Sequence, residues 1–341
     1  MTMQGSQARD WQMLTSPRPD TLAYAQSAAF RAFRGKATNM ATAARFGRAI
    51  TALAISLTTT LTPAAIAQEH ARTEDRLMPC PAEGGCPVEG GFYRILLPAQ
   101  AAIGHPRGAI MYFHGWQGSA EEIMADQGLV AVAQHLGVAL IAPDGMGRTW
   151  SYPGSPGHHR DEFAFIGHVL DDVAQRFPVD PGRILASGFS QGASMVWNLA
   201  CRMPSRFAAF APIAGAFWEP LPQDCVGPRP NLIHVHGTSD TTVPMAGRPL
   251  RSGYRQGDLF RSLAVLAPGC TSSWADEVRR APRPEALTCR LATDCPGPAR
   301  LELCLHGGGH MAAPAWVERA WQLAMPPKMP TAAAGARLTF P

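Results

Sequence analysis

The 341-residue sequence predicts an α/β domain, a mostly parallel central sheet with helices on both faces in a single domain. Three observations predict it. Short apolar runs alternate with longer segments of 3.6-residue period. Several of the short runs are continuously apolar, the pattern of strands buried on both faces. Between them lies no Pro/Gly-rich linker that would divide the chain.

The N-terminal region stands apart. Residues 1–67 carry Arg9, Arg18, Arg31, Arg34, Lys36, Arg45 and Arg48 against only Asp10 and Asp20. The formal net charge of +4 is therefore a property of this leader, and the rest of the chain is near neutrality. That balance gives no electrostatic case for nucleic acid or an anionic membrane as partner. Arg45 and Arg48 precede an apolar stretch at 50–62, and Ala65-Ile66-Ala67 has the small-x-small form of a cleavage site. The stretch is too short and too Thr-rich to span a bilayer. The expectation is a signal peptide over 40–67, translation beginning at Met40, with 1–39 an upstream extension. Export would leave Gln68 at the new N-terminus and the protein periplasmic or extracellular, with no membrane contact after cleavage.

After a polar leading loop at 68–91, the α/β domain is expected over 92–325, followed by a Pro/Ala-rich tail at 326–341. Strands are expected at 92–97, 109–114, 138–143, 184–189, 207–213, 231–236 and 301–305. Helices are expected at 119–136, 161–177, 191–203, 254–266 and 314–325. The first opens with Ser119 and Glu122 in capping-box spacing. The second lines up Phe165, Val169, Val173 and Phe177 on one stripe. Strand–helix alternation of this kind places chemistry at the carboxyl ends of the strands.

All eight cysteines follow the leader, an even count that favours disulfides in an exported protein. No C-x-x-C pair exists, and no metal is expected. Sequence leaves the connectivity open. Proximity suggests Cys80 with Cys86 and Cys201 with Cys225. A hairpin formed by 286–293 and 299–306 would set Cys289 opposite Cys304, leaving Cys270 for Cys295.

Gly188-Phe189-Ser190-Gln191-Gly192 fits G-x-S-x-G between an apolar run and a helical pattern, the context of a nucleophile elbow. Ser190 is the candidate nucleophile, standing at a helix N-terminus that favours developing negative charge. Serine needs a base. Partners in such folds follow in the order serine, acid, histidine. The run at 231–236 leads through Gly237-Thr238-Ser239 to Asp240, the expected acid, with Asp224 as its rival. The run at 301–305 leads through His306-Gly307-Gly308-Gly309 to His310, the expected base. His114, His234, His236 and His306 read as packed residues, and His158 and His159 as loop residues that could rim a site. Two N–H donors for an oxyanion are expected from Gln191 and from Trp116, with Gly115 as the alternative to Trp116. Trp150, Tyr152 and Trp218 follow strand ends and are candidates for a substrate pocket.

Together Phe113-His114-Gly115, Ala142-Pro143-Asp144-Gly145, Gly188 to Gly192, His236 to Asp240 and Gly307 to His310 resemble the polyhydroxybutyrate depolymerase-like esterase family, which is related to feruloyl and acetyl-xylan esterases. The resemblance spans roughly 92–321. It implies the α/β-hydrolase fold, a Ser190–Asp240–His310 triad and cleavage of carboxylic esters through an acyl-enzyme, with no cofactor. It departs where Met311-Ala312-Ala313-Pro314 replaces an aromatic-Pro-Gly turn, and where Trp116 stands in place of a cysteine after His-Gly. The expected substrates are short-chain hydroxyalkanoate esters or oligomers, acted on by a monomer. The alternatives are a feruloyl or acetyl-xylan esterase, then a serine peptidase or a non-catalytic binding protein.

Overall fold

The computed structural model of the chain describes residues 80–81, 84–98, 107–268, 270, 286–292, 295 and 298–325. The expected extension 1–39, signal peptide 40–67 and tail 326–341, with most of the 68–91 loop, lie outside the described residues.

One nine-stranded sheet organises these residues. Its strands are β1 (Cys86–Val88), β2 (Gly91–Leu96), β3 (Arg107–Phe113), β4 (Ala139–Pro143), β5 (Val179–Phe189), β6 (Ala209–Ile213), β7 (Leu232–Gly237), β10 (Thr288–Leu291) and β11 (Leu301–His306). The short strands β8 (Arg248–Pro249) and β9 (Arg255–Gln256) pair separately. The spatial order is β1-β2-β4-β3-β5-β6-β7-β11-β10. The six central strands from β4 to β11 are parallel. β1, β2 and β10 are antiparallel to their neighbours at the two edges. This is the predicted architecture, a mostly parallel central sheet with helices on both faces.

Alternation along the central strands divides the core in two. Ala109, Met111 and Phe113 of β3 face one side with Ile184 and Ala186 of β5. There they meet α3 (Glu162–Arg176), α4 (Gln191–Arg202) and α5 (Leu259–Leu266). Ile110 and Tyr112 face the other side with Leu185, against α1 (Ala120–Ala125), α2 (Gln127–Leu136) and α6 (Pro314–Ala324). A sheet covered on both faces explains why its strands read as unbroken apolar runs.

β1 lies within the loop expected at 68–91, and β8 and β9 have no counterpart among the expected strands. Three expected elements break or begin elsewhere. The helix expected at 119–136 breaks at Asp126, whose backbone is extended and whose carboxylate accepts from the Gly128 and Leu129 amides at 2.9 and 3.0 Å. One residue ends α1 and caps α2, which a periodicity count does not register. β5 begins five residues early, because Asp180-Pro181-Gly182 reads as a turn yet lies between the Arg107–Val179 and Ala109–Ile184 pairings, at a register shift. α5 starts only at Leu259, capped by Asp258, because Arg255 and Gln256 are taken up by β9. Among the described residues no helix is long and apolar enough to cross a membrane.

Each proposed cysteine pair is bonded: Cys80–Cys86, Cys201–Cys225, Cys270–Cys295 and Cys289–Cys304. Cys289 lies directly opposite Cys304 in the β10–β11 register.

Candidate active site

Because β3, β5, β7 and β11 run parallel, the loops after all four emerge at one edge of the sheet. Ser190 follows β5 with φ 58° and ψ −120°, a left-handed backbone that a serine adopts only under constraint. The constraint is visible in its neighbours. A Cβ on Gly188 would sit 2.8 Å from the Phe113 carbonyl oxygen. One on Gly192 would run into the carbonyl oxygens of Phe113 and His114. Only glycine lets α4 start so close to β3. The Ser190 amide donates to the Ile213 carbonyl at 3.0 Å, so the turn is tied to β6 as well.

The Asp240 and His310 loops are delivered together because β7 and β11 are hydrogen-bonded neighbours. Their pairing continues past the strand ends. Thr238 N–H donates to the His306 carbonyl at 2.8 Å, and Ser239 N–H to the Gly308 carbonyl at 3.1 Å. Asp240 and His310 then meet, with Nδ1 of His310 2.7 Å from Oδ2 of Asp240. A carboxylate only accepts, so Nδ1 carries the proton and Nε2 is left as the basic nitrogen. The His310 ring packs on Phe189, the residue before Ser190, at 4.5 Å between centroids.

The Asp240 side chain has no exposed surface. Its Oδ1 accepts from the amides of Thr242 and Val243, both at 2.8 Å. Burial pushes this carboxyl up, but the His310 bond, the Val243 amide and the neighbouring imidazoles outweigh it and hold the group below its ordinary value. His236 lies behind, donating from Nε2 to the Val243 carbonyl at 2.8 Å with the same nitrogen 3.7 Å from Asp240 Oδ2. His234 in turn contacts His236 Nδ1 at 3.0 Å. Both rings are fully buried, and burial pushes both pKa values down.

The remaining candidates separate clearly. Asp224 is exposed in the segment carrying the Cys201–Cys225 bridge, away from any strand end. His306 is buried and stacked on Trp316, its Nδ1 accepting from the Gly308 amide. Trp150 has 0% exposure and donates its indole N–H to the His114 carbonyl at 2.8 Å. With no surface to offer, it is a support beneath the loop after β3 and not a pocket wall, which corrects the expectation. Trp218 is buried edge-on to Tyr152. Tyr152 borders a cavity of about 400 Å³ whose rim includes His158 and His159.

The loop after β3 is heavily tied. Gln117 N–H donates to the Arg148 carbonyl at 2.8 Å, while the Arg148 guanidinium returns to the Gln117 carbonyl and to Glu122. Gly115 lies against Ser190, where a Cβ would be 3.6 Å from that of the serine. Trp116 follows it, 43% exposed. Gln191 opens α4, its side chain held by Thr149 at 2.7 Å. The parts played by Arg148 and Thr149 carried no sequence signal, since each acts through contacts to residues far along the chain. Among the described residues, Cys289, Glu302 and Cys304 are a cluster close enough for a metal. Their sulfurs are bonded to each other, and Glu302 is held by Arg300 and Arg319.

No family model matches the chain. The chain is 30% identical over 234 residues to NocK of Nocardia uniformis subsp. tsuyamanensis, a protein named as an esterase, across 62% of this chain and 67% of the other. It is 24% identical over 233 residues to feruloyl esterase D of Neurospora crassa, covering 64% and 73%. Poly(3-hydroxyalkanoate) depolymerase C of Paucimonas lemoignei is 28% identical over 127 residues, 29% of this chain and 31% of that enzyme. The chain therefore belongs to an esterase family whose relatives include feruloyl esterases and a poly(3-hydroxyalkanoate) depolymerase, and it is a carboxylic ester hydrolase.

Proposed function

We propose that the protein is an exported serine esterase with Ser190 as nucleophile, His310 as general base and Asp240 as the carboxylate that orients it, acting on feruloyl-type esters. The observation that carries the reading is the His310–Asp240 bond at 2.7 Å with the imidazole packed on Phe189, next to a serine held at positive φ at the start of α4. His310 Nε2 takes the Ser190 proton as Oγ attacks the ester carbonyl, and Asp240 stabilises the imidazolium. The amides of Gln191 and Trp116 serve the oxyanion. His310 then protonates the leaving alcohol, and water hydrolyses the acyl-enzyme by the reverse proton path.

The substrate reading follows the relatives. Feruloyl esterases recur among them, from several fungi, whereas the hydroxyalkanoate depolymerase matches under a third of the chain. The cysteine-rich domain, with four disulfides, supports export.

Two assays test the proposal. Ser190→Ala is expected to lose both ester hydrolysis and labelling by a fluorophosphonate; a labelled variant would overturn the nucleophile. Against methyl ferulate, acetylated xylan and 3-hydroxybutyrate oligomers, methyl ferulate is expected to give the highest kcat/KM. A higher value for the hydroxybutyrate oligomers would return the substrate to the aliphatic class.

A further inference from the structure

We propose that His114 is a positioning residue that sets the direction of the Gly115–Trp116 peptide and so aims the Trp116 N–H as an oxyanion donor. The proposal rests on the reading of Ser190 as nucleophile.

The hydrogen bonds around His114 define its tautomer. Gly145 N–H points at Nε2 from 2.9 Å. A backbone amide only donates, so Nε2 carries a lone pair. The proton of the neutral ring is then on Nδ1, which lies 2.7 Å from the Gly115 carbonyl and donates to it. The ring is buried, and desolvation lowers its pKa against the pull of the Gly115 carbonyl and of Asp144 and Glu122, which favours this neutral form.

The consequence lies in the next bond. In a trans peptide the C=O and N–H point in opposite directions. Holding the Gly115 carbonyl toward His114 turns the Trp116 N–H the other way. A Cβ on Gly115 would lie 3.6 Å from that of Ser190, so this peptide borders the serine. A flipped peptide would present a carbonyl oxygen where a donor is needed, and repel the developing charge instead of stabilising it. The surrounding bonds reinforce one orientation. The Gly115 carbonyl also accepts from the Gly118 amide at 3.0 Å, and the His114 carbonyl accepts the Trp150 indole at 2.8 Å. A histidine kept only to fill space needs neither ring bond; here one nitrogen accepts and the other donates, each to a different loop.

The test compares wild type with His114→Phe, which has neither bond, and His114→Gln, whose amide offers one donor and one acceptor. With p-nitrophenyl acetate, the Phe variant is expected to lose roughly 10²–10³ in kcat, with KM within about twofold of wild type. The Gln variant is expected to recover about tenfold or more of that loss. Imidazole ¹⁵N spectra of the wild type, with the His114 signal identified by its loss in the Gln variant, should show the Nδ1–H tautomer. This readout stands even where the Phe variant does not fold. A wild type without esterase activity, or activity retained by Ser190→Ala, defeats the site reading itself. With a Ser190-dependent wild type, the His114 proposal alone is defeated by any of four results: a Phe variant with kcat unchanged, a loss confined to KM, a loss left unrepaired by Gln, or an Nε2–H tautomer.

Discussion

Asp240 divides its two oxygens between two tasks, one holding His310 and the other holding the Thr242 and Val243 amides. Asp240→Asn keeps the shape but replaces an acceptor with an amide that favours the wrong imidazole tautomer, and a kcat loss of about 10⁴ is expected. The same carboxyl should mark the acid limb of stability. Its folded value lies below its ordinary one, so its stabilisation is complete above the ordinary carboxylate range and is lost as pH falls through the lower folded value. Thermal unfolding of wild type and Asp240→Asn should therefore converge as pH falls below about 5. A gap in midpoint that stays constant down to about pH 3 would contradict the depressed value. Glu162 is the second residue with a clear liability. It has no exposed surface and pairs with a nearly buried Arg160 at 2.9 Å, while accepting from the Ser151 amide. Arg160 also donates to the carbonyls of Gly90 and Asp144 and lies 3.5 Å over the Phe165 ring. Glu162→Ala strands that guanidinium, and a loss of about 3–5 kcal/mol is expected in urea unfolding. A loss under about 1 kcal/mol would mean that Arg160 is satisfied without its partner.

Among the elements, the β5–α4 turn has the least freedom. Gly192→Ala places a methyl group against two carbonyl oxygens of the β3 end. The backbone cannot yield without moving β3, so the variant is expected to lose about 1–3 kcal/mol together with activity. Wild-type stability and rate in Gly192→Ala would show that α4 can shift outward. This turn was the most legible element in the sequence, because its glycines answer a steric need that recurs wherever a strand passes into a helix this tightly. The split between α1 and α2 was not legible, since Asp126 serves equally well inside a polar helix face. Nor was the length of β5, where a Pro-Gly pair lies within the strand at a register shift. Trp150 was misassigned for a related reason: its place after a strand end says nothing about which way the indole points.

Across the whole molecule, the disulfides tie down what the sheet leaves at its margins. Cys289–Cys304 fastens the antiparallel edge strand β10 to β11, the strand that leads to His310. It closes a loop of 15 residues, and its removal by Cys289→Ser with Cys304→Ser is expected to cost about 2–4 kcal/mol. Loss of stability with kcat retained is the expected pattern, because β7 still orders β11 from the other side. An inactive double variant that still unfolds cooperatively would show instead that β10 helps to set the His310 loop.

The parallel strands and the serine turn were legible in the amino acids alone, because burial on both faces and close backbone approach restrict composition locally. Which groups stand behind Ser190, Asp240 and His310 emerges only once the chain is folded. The Gly145 amide on His114, the hold of Thr149 on Gln191 and the zipping of the loops after β7 and β11 join residues far apart along the chain, a separation that carries no local pattern. Such contacts exist only once the sheet has brought distant strand ends to one edge.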